Sequence, residues 1–374
     1  MTSESRRAGS SQEEPALPLR SDGARDRIRT CGLLLRRQTL YPLGYAGISG
    51  REAEHALYHT LVHPCETLTT EERMPLGRTL LIANPAAKHG KTERLIPVIE
   101  QLLQNTPHDT VITEHMGHAA DLARDARGYD VVVAAGGDGT AHEVLNGLMT
   151  HPVGTRPALG LLPTGSGNDT RRTLGVSIDL SQASLELVTG ERRRFDVGVC
   201  NGMYFNNSFA AGLDAKVTAK AVEYKVTTER SGLWLYLSAL LHVLFNDLAS
   251  FNLRIRFDGA EAAEDHDTLI VAVTIGPTYG GGFFITPDAV PDDGLFDVCM
   301  IDPLGLPEAL ARLPFVVAGK HTRMKPVHMS RHTSLIIECD SPVPAQMDGE
   351  VLLERRYDIA LLPGAIECIV PRRS

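Results

Sequence analysis

The spacing of apolar positions changes character along the chain. From Arg78 onward, short runs with no polar residue alternate with stretches at helical spacing. Thr79-Leu-Leu-Ile-Ala reads as a buried strand, Lys91–Leu103 as a helix, Thr110–Thr113 as a strand and His118–Arg127 as a helix. Asp130–Ala135 then reads as a strand, Ala141–Met149 as a helix and Ala158–Leu162 as a strand. Wholly apolar strands separated by helices predict a parallel sheet covered on both faces. From about Phe195 the rhythm shifts. Val197–Val199 and Met203–Asn206 flank Asn201-Gly202, a hairpin signal. Leu253–Phe257, Thr268–Thr274, Phe296–Met300, Ser334–Cys339 and Ile359–Leu362 add strands to a mostly antiparallel half. Within that half, Leu233–Leu248 predicts a long helix bearing Trp234, Leu237, Leu241, Leu244 and Phe245; it is a candidate dock or groove wall for an apolar ligand, although this spacing usually marks a core-facing stripe. Asp258-Gly259 reads as a plain turn.

Residues 1–73 share none of this patterning. They mix Arg, Ser, Glu and Gly, and the run from Gly23 to Leu43 resembles the conceptual translation of a transfer-RNA gene. The expectation is a native start at Met74, with a disordered basic arm as the alternative. Either way this segment is set apart from the fold.

With 374 residues the chain is long enough for two domains. Its net charge of −9 argues against a broad nucleic-acid footprint, so any anion site must be local. No two of the six cysteines form a C-x-x-C. No apolar run is long enough to span a bilayer, and no signal peptide is evident, so the expected setting is the cytoplasm. The sequence is compatible with a homodimer and silent on whether one forms.

The chemistry is carried by strand–loop junctions. Gly136-Gly137-Asp138-Gly139-Thr140 follows one apolar strand and opens a helix. Paired glycines let the backbone approach a ligand, and the helix N-terminus favours phosphate. Asp138 beside such a pocket could hold Mg²⁺; the plain alternative is a capped turn. Pro163-Thr-Gly-Ser-Gly-Asn-Asp-Thr170 repeats the arrangement on the next strand, with Asn168 and Asp169 available to order the loop. Asn84-Pro-Ala-Ala-Lys-His-Gly-Lys91 is the third junction, with Lys88 and Lys91 available to phosphate. Pro85 stands where a Walker A loop needs Gly, which excludes a P-loop. In the second half, Ile285–Asp297 clusters acids in an order suited either to a hard cation or to an ordinary acidic loop. Asp348-Gly349 is a strong hairpin signal in its own right.

Taken together, these residues resemble the diacylglycerol kinase catalytic-domain family, which includes bacterial soluble lipid kinases and the sphingosine and ceramide kinases. Asn84-Pro85 with Gly90, Thr113, Gly136–Thr140 with Glu143 and Asn146-Gly147, and Pro163 with Gly165–Asp169 are followed by Gly212 with Asp214, Asp293-Gly294 and Asp348-Gly349-Glu350. The order is the family's and spans Leu80 to Val370. The resemblance implies an N-terminal nucleotide-binding α/β domain of three layers, a C-terminal β-rich, sandwich-like domain, and ATP in the cleft between them. The corresponding division is 76–192, 193–362 and a C-terminal return, 363–374, to the first domain. It implies ATP contacts at Asn84, Pro85 and Lys88, at Thr113, at Gly136, Gly137, Asp138, Gly139, Thr140 and His142, and at Ser166. Glu143, Asn168 and Asp169 belong to the same nucleotide site. It also implies Mg²⁺ near Asp293 and Leu295, and casts Asp348 or Glu350 as the base. Ser166 replaces the family's usual Thr and keeps the hydroxyl. His142 stands where a small or amide side chain is more usual. The expected activity is ATP-dependent phosphorylation of a lipid hydroxyl such as that of diacylglycerol, with peripheral membrane contact. The alternatives are a NAD-kinase-like enzyme with a soluble acceptor and a catalytically silent lipid-binding relative.

Overall fold

Three strands of the first half have no solvent-facing position: β1 (Thr79–Ala83), β3 (Val131–Gly136) and β4 (Ala158–Pro163) are buried throughout. Burying each Val or Leu of such a strand contributes about 1.5–3 kcal/mol, which is why these runs take the centre of the sheet. The computed structural model describes residues 76–372 apart from 89 and 229–231. The chain divides at His63/Pro64 into two units, and all of the described residues lie in the second, Pro64–Ser374. The first unit, and the expectation of a start at Met74, lie outside the described residues.

In chain order the first lobe comprises β1, α1 (Ile96–Leu102), β2 (His108–Ile112), α2 (His118–Arg124), β3, α3 (Asp138–Leu148), β4, α4 (Asp169–Leu174) and α5 (Leu180–Thr189). β2, β1, β3 and β4 are neighbours in that order, and all pair in parallel. The helices pack as pairs, α2 with α3 and α1 with α5. The expected helix at 91–103 is split into a 3₁₀ turn, Glu93–Leu95, followed by α1. Pro97 sits in the first turn of α1, where a missing N–H costs nothing. Helix α2 stops at Arg124, short of the expected Arg127. Helix α3 begins at Asp138, three residues before the expected Ala141. The glycine pair is therefore followed at once by helical N–H groups.

The second lobe contains β5 (Glu191–Cys200), β6 (Met203–Phe205), β7 (Ser208–Gly212), α6 (Leu213–Thr227), α7 (Gly232–Asn246), β8 (Phe251–Phe257), β9 (Glu264–Thr268), β10 (Ile270–Thr274), β11 (Phe296–Ile301), α8 (Leu306–Val317), β12 (Val327–His332), β13 (Ser334–Met347) and β14 (Glu350–Val370). Its pairings are antiparallel. The expected strand 268–274 is two strands. β9 pairs β8, whereas β10 pairs β7 and β11. Conversely, β13 and β14 far outrun the short apolar segments expected at 334–339 and 359–362. Their extra length is polar and partly exposed, so hydrophobic patterning could not reveal it; cross-strand pairing does.

The two lobes have separate cores joined by two long strands. Phe195 and Val197 of β5 belong to the first core, Cys200 to the second. β14 contributes Ile359 and Leu361 to the second core and Ile366, Cys368 and Ile369 to the first, with a register break between Leu362 and Ile366. Cys368 pairs with Leu159 of β4 in parallel, so the last strand ties the second lobe to the edge of the first-lobe sheet.

Candidate active site

The three glycine-bearing junctions meet at the C-terminal edge of the parallel sheet. A Cβ on Gly165 would lie 2.3 Å from Gly137 Cα, so the β3 and β4 loops touch backbone to backbone. Any side chain at either glycine would push them apart. The β1 loop joins them through Asn84, whose Nδ2 donates to Thr140 Oγ1 at 3.0 Å. Thr92 Oγ1 donates to the Thr164 carbonyl at 3.3 Å in a buried contact. Within the β4 loop, Asn168 adopts a left-handed φ of 55° and its Nδ2 donates to the Gly165 carbonyl at 3.0 Å. These bonds converge on the start of α3, whose first N–H groups have no intrahelical partner and favour an anion.

The second lobe delivers one carboxylate to this edge. β13 and β14 pair through Met347 and Glu350, leaving Asp348-Gly349 as a two-residue turn with φ of 47° and 98°. Asp–Gly is the sequence such a turn demands. Here the turn also aims a side chain, because the Asp348 carboxylate is only 2% exposed. Oδ1 accepts from the N–H groups of Ser208 at 2.9 Å and Asn207 at 3.2 Å. Oδ2 accepts from the Asn206 N–H at 2.8 Å and lies 3.2 Å from His142 Nδ1. His142 is on α3, so this contact spans the lobes. Asn146, one turn further along α3, fixes the ring. Its Oδ1 accepts from the Tyr204 N–H, its Nδ2 donates to the Tyr204 carbonyl, and Nδ2 faces His142 Nε2 at 3.3 Å. The amide also donates to the His142 carbonyl at 3.0 Å, and because an ionised carboxylate only accepts, the Nδ1 facing Asp348 is the donor of that contact. Burial pulls the His142 pKa down, but the hydrogen bond and charge of Asp348, with Glu350 and Glu143, bring it above the usual value.

A polar cavity of about 50 Å³ lies between the lobes. Asp138, Asp169, Asp214 and Asp348 line it, and none of its lining residues is basic. Asp138 accepts from the Thr170 N–H at 2.9 Å; burial raises its pKa, with the neighbouring Asp348 charge adding to the rise. Asp169 is a clasp across the lobes. It accepts from Arg172 at 2.7 Å within its own helix, and from Thr278 Oγ1 at 3.1 Å and the Gly281 N–H at 2.6 Å in the second lobe. Burial, then the Asp138 charge, push it up to about 6. Burial alone pushes Asp214 up, and with Gln346 and Tyr279 pulling back it reaches about 7.

These acids bear on the expected metal. Among the described residues no three His, Cys, Asp or Glu side chains form a metal cage. Mg²⁺ commonly needs only one or two carboxylates, its other positions being water and substrate phosphate. Asp138, desolvated in a cavity whose lining has no basic residue, fits that donor set, whereas Asp169 beside it is already paired with Arg172. The arrangement near Asp293 and Leu295 is different. Arg331 lies 3.4 Å from Asp293 Oδ2 and 3.0 Å from Asp297 Oδ1, and Asp293 Oδ1 accepts from the Leu295 N–H. A guanidinium already neutralises both acids. Asp297 Oδ2 is left buried without a partner, a poor cage on its own for a hard cation. The side chains here are thus already committed to Arg331, which leaves backbone oxygen as the free donor near Leu295.

Other expected residues take varied places. Thr113 is buried at the end of β2, its N–H donating to the Ala83 carbonyl. Glu143 accepts from the Ala119 N–H at 3.1 Å and so caps α2. Pro85, Lys88 and Ser166 lie in the loops, with Lys88 exposed. Glu350 is exposed on β14, whereas Asp348 is enclosed. Sequence reasoning missed the job of His142 and the row of N–H groups at Asn206–Ser208. The His was visible as an unusual residue, but nothing local points it at a turn 206 positions away.

A second, apolar cavity of about 130 Å³ adjoins the polar one. Asp214, Tyr236, Tyr279 and Gly280 are common to both, and Leu213, Val217, Leu240 and Leu244 are among its walls. Asp214 Oδ2 and the Tyr279 hydroxyl are buried where the two meet, without a hydrogen bond of standard geometry.

Known proteins share this architecture. Residues 78–200 match the family model described as the diacylglycerol kinase catalytic domain, and residues 207–370 that of the YegS C-terminal NAD kinase beta sandwich-like domain. The chain is 30% identical over 308 residues to the "Probable lipid kinase YegS-like" of Pectobacterium atrosepticum, covering 80% of this chain and 97% of that one. It is 28% identical over 280 residues to a diacylglycerol kinase of Bacillus subtilis, covering 74% and 90%. The fold recurs in a crystal structure of a diacylglycerol kinase from Bacillus anthracis, with a TM-score of 0.60 at 24% identity over 78% of this chain and 96% of that one. A glycine-lined nucleotide edge, a β-rich second lobe and these matches along both lobes lead to one conclusion: the chain belongs to the lipid kinases of the diacylglycerol kinase catalytic-domain family.

Proposed function

We propose that this lipid kinase transfers the γ-phosphate of ATP to the hydroxyl of a membrane lipid such as diacylglycerol, with Asp348 as the base. The observation that carries this reading is the position of Asp348. It is a buried carboxylate from the second lobe, hydrogen-bonded to His142 on the helix that starts at the glycine loop. Glu350, exposed on the strand beyond, is the weaker candidate.

Phosphoryl transfer asks a protein mainly for positioning and charge stabilisation. The N–H groups at the start of α3 and in the 163–170 loop face the phosphates, and the Asn84–Thr140 bond keeps the loops together. Asp138 would hold Mg²⁺, which when bound neutralises charge on the transferring phosphoryl group, while Asp169 clasps the second lobe behind it. Asp348 accepts the proton of the lipid hydroxyl as that oxygen bonds to the γ-phosphorus. The bond from phosphorus to the bridging oxygen breaks, and ADP leaves with that electron pair. His142 and the three N–H groups hold the carboxylate in register. The apolar cavity beside Asp214 and Tyr279 suits an acyl chain whose polar end reaches the catalytic edge. In this reading the protein meets the lipid peripherally, at the cytoplasmic face of the membrane; no helix among the described residues is long and apolar enough to cross a bilayer.

The test is transfer of labelled phosphate from ATP into a total lipid extract, with the product identified by mass and NAD as a parallel acceptor. Labelled phospholipid supports the reading. Label in NAD alone, or in neither acceptor, overturns it.

A further inference from the structure

Helix α7 contains no Asp, Glu, Lys or Arg from Gly232 to Asn246. A helix apolar all round is normally enclosed. Here Trp234 and Phe245 are 72% and 60% exposed. At about 3.6 residues per turn these two lie on one line of the helix, with Ser238 and Leu241 between them. The far side of α7 carries Tyr236, Leu240 and Leu244, which line the apolar cavity. The second helical wall, α8, has no buried residue and exposes Phe315. Beyond α8 the chain lines the same cavity with His321, Met324 and Val327. Interleaved with these are Lys320, Arg323 and Lys325, all exposed. Arg312 is paired with Glu308, but from Ala309 to Ser330 there is no acid, so Lys320, Arg323 and Lys325 give this stretch a local positive charge in a chain of net charge −9.

We propose that the outer line of α7, the exposed part of α8 and the basic turn 320–325 form the face that seats this protein on an anionic lipid bilayer, with the apolar cavity opening behind it to receive the lipid. This rests on the acceptor being a lipid, as proposed above. Trp and Phe enter the boundary between headgroups and acyl chains, and the three cations draw anionic headgroups to the rim. Neither feature alone gives stable attachment; together they supply two signals. Three exposed cations beside an apolar line match an anionic headgroup layer over acyl chains, so charge favours the membrane.

Trp234 is the chain's single tryptophan, which makes the test direct. The full-length protein is mixed with vesicles of phosphatidylglycerol and phosphatidylcholine, or of phosphatidylcholine alone, without nucleotide. On phosphatidylglycerol-containing vesicles its emission shifts to the blue and is quenched by brominated acyl chains. The triple variant Lys320→Glu, Arg323→Glu, Lys325→Glu binds those vesicles about tenfold more weakly or worse. It retains its melting temperature and its phosphorylation of detergent-dispersed diacylglycerol. Trp234→Ser with Phe245→Ser loses vesicle binding; should that pair misfold, the charge-reversal variant still decides. Vesicle binding with unquenched Trp234, equal binding by the charge-reversed protein, or a dimer that shields Trp234 in the absence of lipid each overturns the proposal. No readout but the dispersed-substrate control involves turnover, so failure of the kinase reading shows separately.

Discussion

Two Asp–Gly turns in this protein are nearly the same object. Asp258 and Asp348 each have φ of 47° and each precede a glycine of positive φ. Each carboxylate gathers backbone N–H groups and one histidine. Asp258 accepts from the N–H groups of Thr333 and Ser334 and from Thr333 Oγ1, and lies 2.7 Å from His332 Nδ1. Asp348 has Asn206, Asn207, Ser208 and His142. The difference is in what surrounds them. The Asp258 side chain is 44% exposed and far from any glycine loop in the fold's order. Slight burial pushes its carboxyl up, but the bonds from His332, Thr333 and Ser334 outweigh that and bring it to about 2. Asp348 is enclosed and shares a cavity with Asp138, Asp169 and Asp214. A turn that aims a carboxylate is thus common chemistry, and what sets Asp348 apart is that it is enclosed between lobes beside the glycine loops and three other acids.

The sharpest way to break this comparison is to neutralise each carboxylate in turn. Asp348→Asn is expected to lower turnover by about 10³-fold or more, the scale of a lost general base, while ATP affinity stays within about threefold. Turnover near that of the wild type would remove Asp348 from the chemistry. His142→Ala should cost less, about 10–100-fold in kcat, because it loosens the base without removing it. As a positioning residue it should also change the pH profile of kcat, and an unchanged profile would mark its role as purely structural.

The acids around Asp348 yield a prediction in stability. Asp169 and Asp214 are raised from 3.8 to about 6 and about 7. Between pH 4 and 7 the folded protein therefore holds protons that the unfolded chain has released. Stability is full below the unfolded value and falls as pH rises through the folded one. His142, also raised, acts in the same direction. The nucleotide-free protein should lose roughly 2–3 kcal/mol per buried acid across this window, read as a falling denaturation midpoint. A midpoint that rises from pH 5 to 7 would contradict the buried cluster. Asp258→Asn is the smallest expected effect. Its carboxyl is lowered, so its stabilisation is present above pH 4 and lost as pH falls through about 2. Solvent screening at a half-exposed group limits the cost at pH 7 to below about 1 kcal/mol, with activity unchanged.

Much of the first lobe was legible because its signals are local. An apolar run such as Val131–Ala135 has one good use, and glycine after it has few. The start of α3 was misplaced by three residues because Asp138-Gly139-Thr140 reads as a turn until Gly137 is seen to act as its N-cap. The spacing of the Trp234–Phe245 helix favours core over a docking surface. Only burial shows that its apolar character extends beyond the buried stripe, leaving Trp234 on the surface. The acids near Asp293 suggested a cation, and Arg331 from β12 turned out to supply the charge.

By itself the sequence determined the parallel strands, the glycine junctions, the Asp–Gly turns and the family pattern, since each depends on residues within a few positions of one another. Tertiary structure decided which Asp–Gly carboxylate is enclosed beside the glycine loops, that His142 contacts it, and that Asp169 clasps the lobes. Those outcomes depend on contacts between segments as much as 206 residues apart. No local propensity encodes such a contact; it exists only once two separate cores have packed and the long strand β14 has joined them.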